Sequence, residues 1–364
     1  MDEHMKKYQV IIVGAGPAGL CTALSLHQNN IKDICIIEIN NETFHKPCAG
    51  FLTSKSRDNL QLLGVDVEKD LNYQRVNSFD LFNNKKYIMN VNNQCKEDFI
   101  IMFNEKPNRE VLDNHLRKKV KDLGVEIFYN TKITDVNISK KEVVTEGEIF
   151  KYNYLVFADG MNGYSRKFNK VKSKNISIEA VFELDQRVEQ FVDGYLGVSK
   201  QGYAWVFCSG TYVSIGLTDF YKKEEDYINK LILFGREKGY SINKEDIKGA
   251  FFSDGLNKNI VFDDVYLIGD AAGMTNPLSA EGLYYASEMA ILLAKSVKQN
   301  DPDIYLEEIK RHGKVINKYK RLRKPFFSKF GRFILFDIIA KRFPGFATEV
   351  FLKQIQKTYR KRHV

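Results

Sequence analysis

The residues best suited to chemistry near the start of the chain are three glycines spaced as G-x-G-x-x-G between an apolar run and a helical segment. In such a turn the first glycine permits a tight bend, the second lets the backbone approach a pyrophosphate, and the third lets the helix pack against the strand. The helix N-terminus favours the bound anion. The motif is Gly14-Ala15-Gly16-Pro17-Ala18-Gly19. It predicts a dinucleotide site, and the alternative is a glycine turn without a ligand.

An acidic residue, Glu38, follows this motif at the end of the apolar run Ile34 to Ile37. A carboxylate at that place accepts hydrogen bonds from both ribose hydroxyls and repels a 2′-phosphate. The glycine motif followed by Glu38 therefore favours binding of FAD or NAD over binding of NADP.

Two later segments place acidic residues and glycines directly after apolar runs. After a strand, the Asp270 carboxylate can reach a sugar-alcohol hydroxyl, and Gly273 and Gly282 leave room for a flat ring system near the next helix. The first segment is Ala158-Asp159-Gly160, followed by Arg166. The second is Gly269-Asp270-Ala271-Ala272-Gly273, followed by Asn276-Pro277-Leu278 and Glu281-Gly282.

With these three segments in this order, the chain resembles the glutathione-reductase-type flavoproteins of the para-hydroxybenzoate hydroxylase class, and within it the geranylgeranyl reductase family. The resemblance runs from residue 8 to about residue 295. One departure is Gly163, which stands where the class has a serine, whereas Arg166 keeps its place. The resemblance implies non-covalent FAD, with Glu38 binding the adenosine ribose and Asp270 binding the ribityl chain. It also implies that Arg109, which opens Arg109-x-x-x-Asp113, lies near the ribityl or phosphate region of FAD. Asp159-Gly160 matches the central aspartate-glycine pair of the class.

The segment Lys46-Pro47-Cys48-Ala49-Gly50 resembles the Pro-Cys-Gly-Gly loop that the geranylgeranyl reductases place over the isoalloxazine, with Ala49 in place of a glycine. The resemblance implies that Cys48 donates a proton or modulates the flavin, and that Ala49 and Gly50 border the cofactor. The alternative is a small thiol that only fills space beside the ring.

An aromatic segment, Gly202-Tyr203-Ala204-Trp205-Val206-Phe207, resembles the Y-x-W-x-F-P segment of the same family, with Cys208 in place of the proline. On a strand, Tyr203, Trp205 and Phe207 share one face because side chains alternate. They would form a wall for a long, apolar, unsaturated substrate. The alternative is that these rings belong to the core of a sheet.

The expected function is reduction of C=C bonds of a geranylgeranyl-type isoprenoid by hydride transfer from flavin N5, with the proton coming from Tyr203, Cys48 or water. A second G-x-G-x-x-G is absent from the sequence, so NAD(P)H would bind transiently or a reduced protein carrier would supply the electrons. Two other readings stay open. One is an FAD-dependent monooxygenase of an aromatic or polyketide-like substrate, and the other is an electron-transfer flavoprotein acting on a quinone.

The bulk composition agrees with an enzyme of a reducing cytoplasm. The five cysteines have irregular spacing and form no C-x-x-C pair, which argues against a disulfide framework and a thiolate zinc site. The six histidines show no metal-ligand spacing, so we expect no metal. No apolar run approaches the length of a membrane-spanning helix.

The net charge of +9 is concentrated at the C-terminus. Residues 310–364 hold 17 basic and 2 acidic residues, a net +15 that leaves −6 for the rest of the chain. Basic residues beside aromatic ones suit the surface of an anionic membrane, which would place the protein on the inner face of the membrane. A second possible partner for this segment is an acidic electron carrier. The alternative to both partners is that the aromatic residues pack on the rest of the protein and the Lys and Arg residues are simply exposed to solvent. Nucleic acid is not expected, since no recognition motif accompanies the charge.

The elements that must position these residues predict an α/β fold. Apolar runs at 10–13, 34–37, 154–157 and 265–268 are typical of buried parallel strands. We predict a doubly wound, mostly parallel FAD-binding sheet from residues 1–75, 100–170 and 256–310. An inserted antiparallel substrate domain would comprise 76–99 and 171–255, and a basic helical segment would comprise 311–364.

Overall fold

The apolar runs form the central strands, as the sequence predicts. The computed structural model describes residues 5–44, 46–76, 78–92, 101–103, 109–169, 174–340 and 342. The strands in chain order are β1 (Met5–Val13), β2 (Ile34–Ile37), β3 (Gln74–Val76), β4 (Ser78–Asn83), β5 (Lys86–Asn92), β6 (Ile101–Phe103), β7 (Glu126–Phe128), β8 (Ile133–Asn137), β9 (Glu142–Thr145), β10 (Ile149–Phe157), β11 (Lys174–Glu183), β12 (Phe191–Leu196), β13 (Tyr203–Cys208), β14 (Tyr212–Phe220), β15 (Lys248–Ser253), β16 (Val261–Phe262) and β17 (Val265–Leu267).

Helices cover the first sheet and form the C-terminal part of the described chain. They are α1 (Pro17–Gln28), α2 (Ser54–Leu62), α3 (Val67–Leu71), α4 (Glu110–Asp122), α5 (Tyr227–Glu237), α6 (Leu283–Gln299), α7 (Pro302–Phe327), α8 (Lys329–Arg332) and a π-helix at Phe333–Ala340. Within the described residues, no helix is long and apolar enough to cross a membrane.

The first sheet has the strand order β16-β17-β10-β1-β2-β7. Its five strands from β17 to β7 are parallel, and β16 and the hairpin β8–β9 join it in antiparallel pairs. The runs Val10–Val13, Ile34–Ile37 and Leu155–Phe157 are fully buried, which explains why they are apolar without interruption. This sheet and helices α1, α4 and α6 share one large hydrophobic core.

The second sheet has the order β15-β11-β14-β13-β12-β4-β5 and is antiparallel except at the β12–β4 pair. Its two faces separate by the period-2 alternation of strands. On one face Ala204, Val206 and Cys208 pack against α5. On the other, Trp205 and Phe207 join side chains of β4, β5 and the C-terminal helices in a separate apolar cluster. A small third sheet pairs β3 with β6.

A buried ion pair fixes helix α7 to the second sheet. The Arg323 guanidinium donates to the Asp254 carboxylate and, over 2.8 Å, to Asn175 Oδ1 on β11. Arg323 and Asp254 are both nearly inaccessible to solvent. Removal of either charge would leave the other buried without a partner, which is strongly destabilising. This contact sets the position of the helices that follow α7.

The predicted fold is confirmed, with a mostly parallel sheet, an antiparallel sheet and a helical C-terminus. The strands of the first sheet come from residues 5–37, 126–157 and 261–267, and those of the second from residues 78–92 and 174–253. The C-terminal helix α7 begins at Pro302, earlier than residue 311, because the Asp301 side chain caps it and Pro302 suits the first turn. Cys95, Phe343 and Phe346 lie outside the described residues, and Cys21, Cys35, Cys48 and Cys208 are free thiols.

Candidate active site

A cavity of about 2030 Å³ opens where the first sheet faces the second. Ligand pockets usually enclose about 300–1000 Å³, so this space accommodates more than one small ligand. Its lining has two parts. One consists of the glycine-rich and acidic segments at the strand ends of the first sheet, and the other of apolar side chains from the second sheet and the C-terminal helices.

The register of the first sheet explains why the polar segments meet. Val13 at the end of β1 is paired with Ile37 of β2 and with Phe157 of β10, and Phe157 is paired with Leu267 of β17. Four adjacent parallel strands therefore end level with one another. The residues that follow them lie side by side at the carboxyl edge, where α/β sheets bind ligands.

The glycine turn has the geometry that its spacing predicts. Gly14 has φ +104°, and an added Cβ would lie 2.6 Å from the Ala158 carbonyl oxygen. An added Cβ on Gly19 would lie 2.0 Å from the Gly14 carbonyl oxygen, so this glycine permits the helix to approach the turn. At Gly16 a Cβ would meet open space in the cavity. Helix α1 begins there with Pro17 and Ala18, and no side chain caps its N–H groups.

Glu38 ties the end of β2 to this turn. Its carboxylate accepts hydrogen bonds from the backbone N–H of Ala15 at 2.6 Å and from both nitrogens of Asn40 at 2.8 and 2.7 Å. The side chain is buried yet lines the cavity. The carboxylate is thus oriented by the backbone before any ligand arrives.

Arg166 joins the other two polar segments. Its guanidinium donates to the carbonyl oxygens of Gly160 at 3.2 Å, Asp270 at 3.1 Å and Met161. The Nη1 atom is buried and has no hydrogen-bond partner among the described residues. Gly160, with φ +72°, leaves open space beside it. A buried, unpaired cationic donor at the cavity wall suits an anionic or polar ligand group.

The departure at Gly163 has a structural reason. A Cβ on this residue would lie 2.1 Å from Asp159 Cγ, so a serine does not fit while Asp159 holds its place. The hydroxyl comes from Ser165 instead, whose Oγ and backbone N–H donate to the Asp159 carboxylate at 2.6 and 2.8 Å. Burial raises the pKa of Asp159, and the Ser165 hydrogen bonds oppose that rise.

Asp270 is held by a lysine that the sequence does not mark. Its carboxylate accepts from Lys46 Nζ at 2.8 Å, Thr275 Oγ1 at 2.7 Å and Ser253 N–H at 3.0 Å. Burial alone would raise the pKa of Asp270, but the Lys46 charge and these hydrogen bonds bring it to about 2. Asp270 is therefore an anion at the cavity wall, and Lys46 places the Cys48 loop beside it.

The remaining predicted glycines have separate roles. Gly50 and Gly269 have φ +79° and +61°, which glycine adopts without strain. Gly282 lines the cavity, where an added Cβ would lie 3.3 Å from Thr275 Oγ1. The role expected for Gly273, room for a flat ring, is wrong. An added Cβ there would lie 2.2 Å from the Gly255 carbonyl oxygen, so Gly273 permits packing of two backbones.

Cys48 and Arg109 lie together on the cavity wall. Arg109 precedes α4 and donates through Nε to Asp113 Oδ1 at 2.9 Å. Burial lowers the pKa of Arg109, but the Asp113 carboxylate and then Cys48 outweigh it and raise that pKa. Ala49 packs against the aromatic cluster beyond the loop.

Tyr203, Trp205 and Phe207 form one wall of the cavity, as their alternation predicts. The Trp205 and Phe207 rings stack with centroids 5.8 Å apart, and Phe51 of the Cys48 loop stacks on Phe207 at 3.9 Å. Tyr203 Oη donates to the Ser279 carbonyl oxygen at 2.7 Å. Burial raises the pKa of Tyr203, as do the nearby Cys48 and Glu281. These rings line the cavity and also belong to, or pack against, an apolar core cluster of the second sheet.

The apolar wall continues along the C-terminal helices. The cavity lining includes side chains of β4, β5 and β12 together with those of α7, α8 and the π-helix. They are Phe79, Leu81, Met89, Val192, Leu196, Leu322, Phe326, Phe327, Phe330, Ile334, Leu335, Phe336 and Ile339. This half of the cavity therefore suits a large hydrocarbon, whereas the half at the strand ends suits a polar ligand.

Two features of the site escape sequence reasoning, namely the pairing of Lys46 with Asp270 and the Ser165 hydroxyl. The partner of Lys46 is 224 residues away in the chain, so no local pattern marks it. Ser165 lies two residues beyond the expected serine position. Among the described residues, no group of three or more histidines, cysteines or carboxylates is placed to hold a metal.

The polar half fits a flavin dinucleotide. The open space at Gly16, the uncapped start of α1 and the unpaired Arg166 Nη1 suit phosphate and polar ring atoms, and the oriented Glu38 carboxylate suits a ribose. Asp270 retains a place on the wall from which it can accept a further hydrogen bond.

Sequence comparison agrees with this geometry. Residues 7–204 match the family described as FAD binding domain. The chain is 28% identical over 304 residues to an uncharacterised protein of Methanosarcina barkeri, covering 81% of this chain and 76% of that relative. It is 24% identical over 331 residues to the digeranylgeranylglycerophospholipid reductase of Methanocaldococcus jannaschii, covering 83% and 80%.

Solved structures share the fold. A geranylgeranyl bacteriochlorophyll reductase-like protein of Thermoplasma acidophilum superposes with a TM-score of 0.75 at 18% identity, over 95% of this chain and 99% of that one. The probable FAD-dependent monooxygenase pqsL of Pseudomonas aeruginosa gives 0.72 at 16% identity, over 90% and 97%. At these identities the likeness concerns the fold, which reductases and monooxygenases share.

We expect Glu38→Gln to weaken FAD binding by roughly 10- to 100-fold, because charge-assisted hydrogen bonds contribute roughly 1.5–3 kcal/mol. The amide replaces one acceptor oxygen by a donor NH₂, which then faces backbone N–H groups. The measurement is the Kd for FAD from titration of the FAD-stripped full chain. Glu42→Gln is the control, because Glu42 is exposed in the same loop and pairs with Lys121. Equal affinity in the Glu38 and Glu42 variants would contradict the assignment.

Proposed function

The chain belongs to the FAD-binding-domain family, and from that premise we propose that it is an FAD-dependent reductase of carbon–carbon double bonds in an isoprenoid lipid. One observation carries the proposal. A single cavity joins a polar half that fits a dinucleotide to an apolar half walled by Tyr203, Trp205, Phe207 and the C-terminal helices. An apolar, unsaturated chain lying in the second half would reach the redox centre held in the first.

The relatives support the isoprenoid class of substrate. Proteins named digeranylgeranylglycerophospholipid reductase and geranylgeranyl diphosphate reductase match most of this chain at 24% and 25% identity. An apolar cavity lined by many aromatic and aliphatic side chains suits such chains better than a small aromatic acid, which needs a charged partner beside its ring. The lining from β4, β5, β12, β13 and the C-terminal helices is mainly hydrocarbon, and its polar atoms belong to Tyr203, Trp205, Met89, Tyr319 and Ser328.

FAD, when bound, supplies hydride chemistry, and the chain supplies binding, orientation and a proton. Glu38, Arg166 and the start of α1 bind the dinucleotide. The aromatic wall and the C-terminal helices orient the substrate chain and exclude water from the reacting carbons.

We propose Cys48 as the group that holds the proton for the second carbon of the reduced bond. Its thiol lines the cavity, on the wall that also contains Arg109. Tyr203 is less suited, because its hydroxyl proton is already donated to the Ser279 carbonyl and burial makes the phenol a weaker acid. Tyr203 instead fixes the wall to the loop at Ser279.

We also propose that the cavity takes its substrate from an anionic membrane. Phe330 and Phe333 are 73% and 53% exposed, and Phe330 also lines the cavity. The basic residues Lys324 and Lys329 lie exposed beside them. Aromatic side chains next to basic ones suit the headgroup region of such a membrane.

The reductase proposal predicts turnover without oxygen. Chemically reduced, FAD-loaded protein mixed anaerobically with geranylgeranyl diphosphate should be reoxidised rapidly, and mass spectrometry of the product should show two added hydrogens for each reduced bond. Reoxidation by air alone should be slow. The outcome against the proposal is fast reaction with oxygen and no change in the isoprenoid, which would favour a monooxygenase. Reoxidation by a quinone alone would favour an electron-transfer flavoprotein.

A pair of variants tests the proton donor. Cys48→Ser should slow the single turnover by on the order of 100-fold, because a positioned acid contributes about 10²–10⁴ and a serine hydroxyl is a far weaker acid. Tyr203→Phe should slow it less than 10-fold, as it removes one hydrogen bond to a backbone carbonyl. FAD absorbance serves as the control for cofactor binding in both. A larger loss in Tyr203→Phe than in Cys48→Ser would reverse the assignment.

Flotation with liposomes tests the membrane surface. The full chain should float with vesicles that contain anionic lipid at low salt, and Lys324→Glu/Lys329→Glu should reduce the floated fraction by several-fold, since each basic residue near the surface contributes about 1 kcal/mol. Lys223→Glu/Lys244→Glu makes the same charge change at two exposed residues near α5 and should float like the wild type. Equal flotation of the two double variants, or none with wild type, would refute the membrane as partner.

A further inference from the structure

A lysine of the Cys48 loop, Lys46, lies on the cavity wall next to the carboxylate of Asp270. Its ammonium group donates to Asp270 Oδ2 at 2.8 Å, and the other oxygen, Oδ1, accepts from Thr275 and Ser253. The side chains of Lys46 and Asp270 are 34% and 15% exposed. The pair is therefore partly shielded from water, and the attraction between its charges is stronger than at an open surface.

The ammonium group of Lys46 has donors left for a ligand. An ammonium group carries three N–H donors, and the hydrogen bond that the structure describes for this one goes to Asp270. A third of the side chain remains exposed, and the residue lines the cavity. A ligand that is bound against the Asp270 carboxylate therefore also lies beside a cation that can donate to it.

Lys46 also anchors the loop that carries the reacting thiol. On one side of Cys48, the ion pair ties Lys46 to Asp270, which follows β17 of the first sheet. On the other side, the Phe51 ring stacks on Phe207 of the second sheet, with centroids 3.9 Å apart. Cys48 lies between these two residues in the chain. The position of its thiol therefore depends on both contacts.

The charge of Lys46 decides what a ligand beside Asp270 meets. Burial would raise the pKa of Asp270, but the Lys46 charge is the largest of the contributions that lower it to about 2. Arg166 donates to the backbone carbonyl of Asp270, not to its carboxylate. Without Lys46, the carboxylate would keep its hydrogen bonds but lose the cation bound to it. Reduced FAD carries more negative charge than oxidised FAD, so an uncompensated carboxylate beside it disfavours reduction.

We propose that Lys46 is a positioning residue that holds the Cys48 loop on Asp270 and compensates the charge of that carboxylate beside FAD, so that FAD is reduced more easily. The inference rests on the proposed function in one respect, namely FAD bound with its ribityl chain at Asp270. It does not involve the isoprenoid, so it holds for any substrate. One ion pair thus links the position of the thiol to the reduction potential of the cofactor.

The test is the two-electron midpoint potential of FAD bound to the full chain, measured without oxygen at about pH 8, well above the range in which carboxyl groups ordinarily titrate. Lys46→Met should lower the potential by roughly 30 mV, which corresponds to a tenfold fall in the affinity for reduced relative to oxidised FAD. Lys46→Arg keeps the cation and should stay near the wild-type potential. Lys118→Met is the matched control, because Lys118 forms an exposed pair with Asp122 at 2.7 Å, and it should leave the potential unchanged.

Hydrogen exchange of the full chain, saturated with FAD, follows the loop. In Lys46→Met the amides from Cys48 to Thr53 should exchange at least several-fold faster than in the wild type, because one anchor of the loop is lost. Lys46→Arg should exchange like the wild type. A potential of Lys46→Met equal to that of Lys118→Met would overturn the proposal, as would an equal fall in Lys46→Arg or unchanged exchange in Lys46→Met. Neither readout needs turnover, so the reductase proposal can fail without affecting them.

Discussion

The level ends of β1, β2, β10 and β17 are the constraint on which the rest of the molecule depends. Because four parallel strands stop in register, the backbone N–H groups of the glycine turn, the Glu38 carboxylate, Arg166 and Asp270 meet along one edge. None of these groups could bind a dinucleotide alone. The strands remain level because their apolar side chains are buried on both faces and shared with α1, α4 and α6.

The second sheet complements that edge through the two-residue period of its strands. One face is occupied by α5, which leaves the aromatic face free to form the cavity wall. The helices after Arg323 complete that wall, and the buried pair with Asp254 keeps them in place. Polar contacts such as Tyr203 Oη with the Ser279 carbonyl oxygen and Ser253 N–H with the Asp270 carboxylate then connect the second sheet to the loops that follow the first. The chemistry therefore occurs between two independently packed cores.

Sequence reasoning recovers the parts of this arrangement that repeat locally. The fold class, the glycine turn, Glu38 and the shared face of Tyr203, Trp205 and Phe207 all follow from spacing and strand alternation. It fails for contacts between residues that are far apart in the chain, and for glycines that permit two backbone segments to pack closely. The partners of Lys46 and Arg323 lie far away in sequence, Gly273 packs on Gly255, and the Ser165 hydroxyl replaces one expected at Gly163. Such contacts depend on the folded register, which no local pattern contains.

The central claim is that one cavity holds FAD in its polar half and an isoprenoid chain in its aromatic half. The most direct test is a crystal structure of the FAD-loaded full chain with a bound geranylgeranyl lipid. The account predicts the adenosine ribose at Glu38 and a double bond between the Cys48 loop and the wall of Tyr203, Trp205 and Phe207, with the chain running toward Phe330. A lipid bound outside this cavity, or a wall closed by its own side chains with FAD in place, would contradict it.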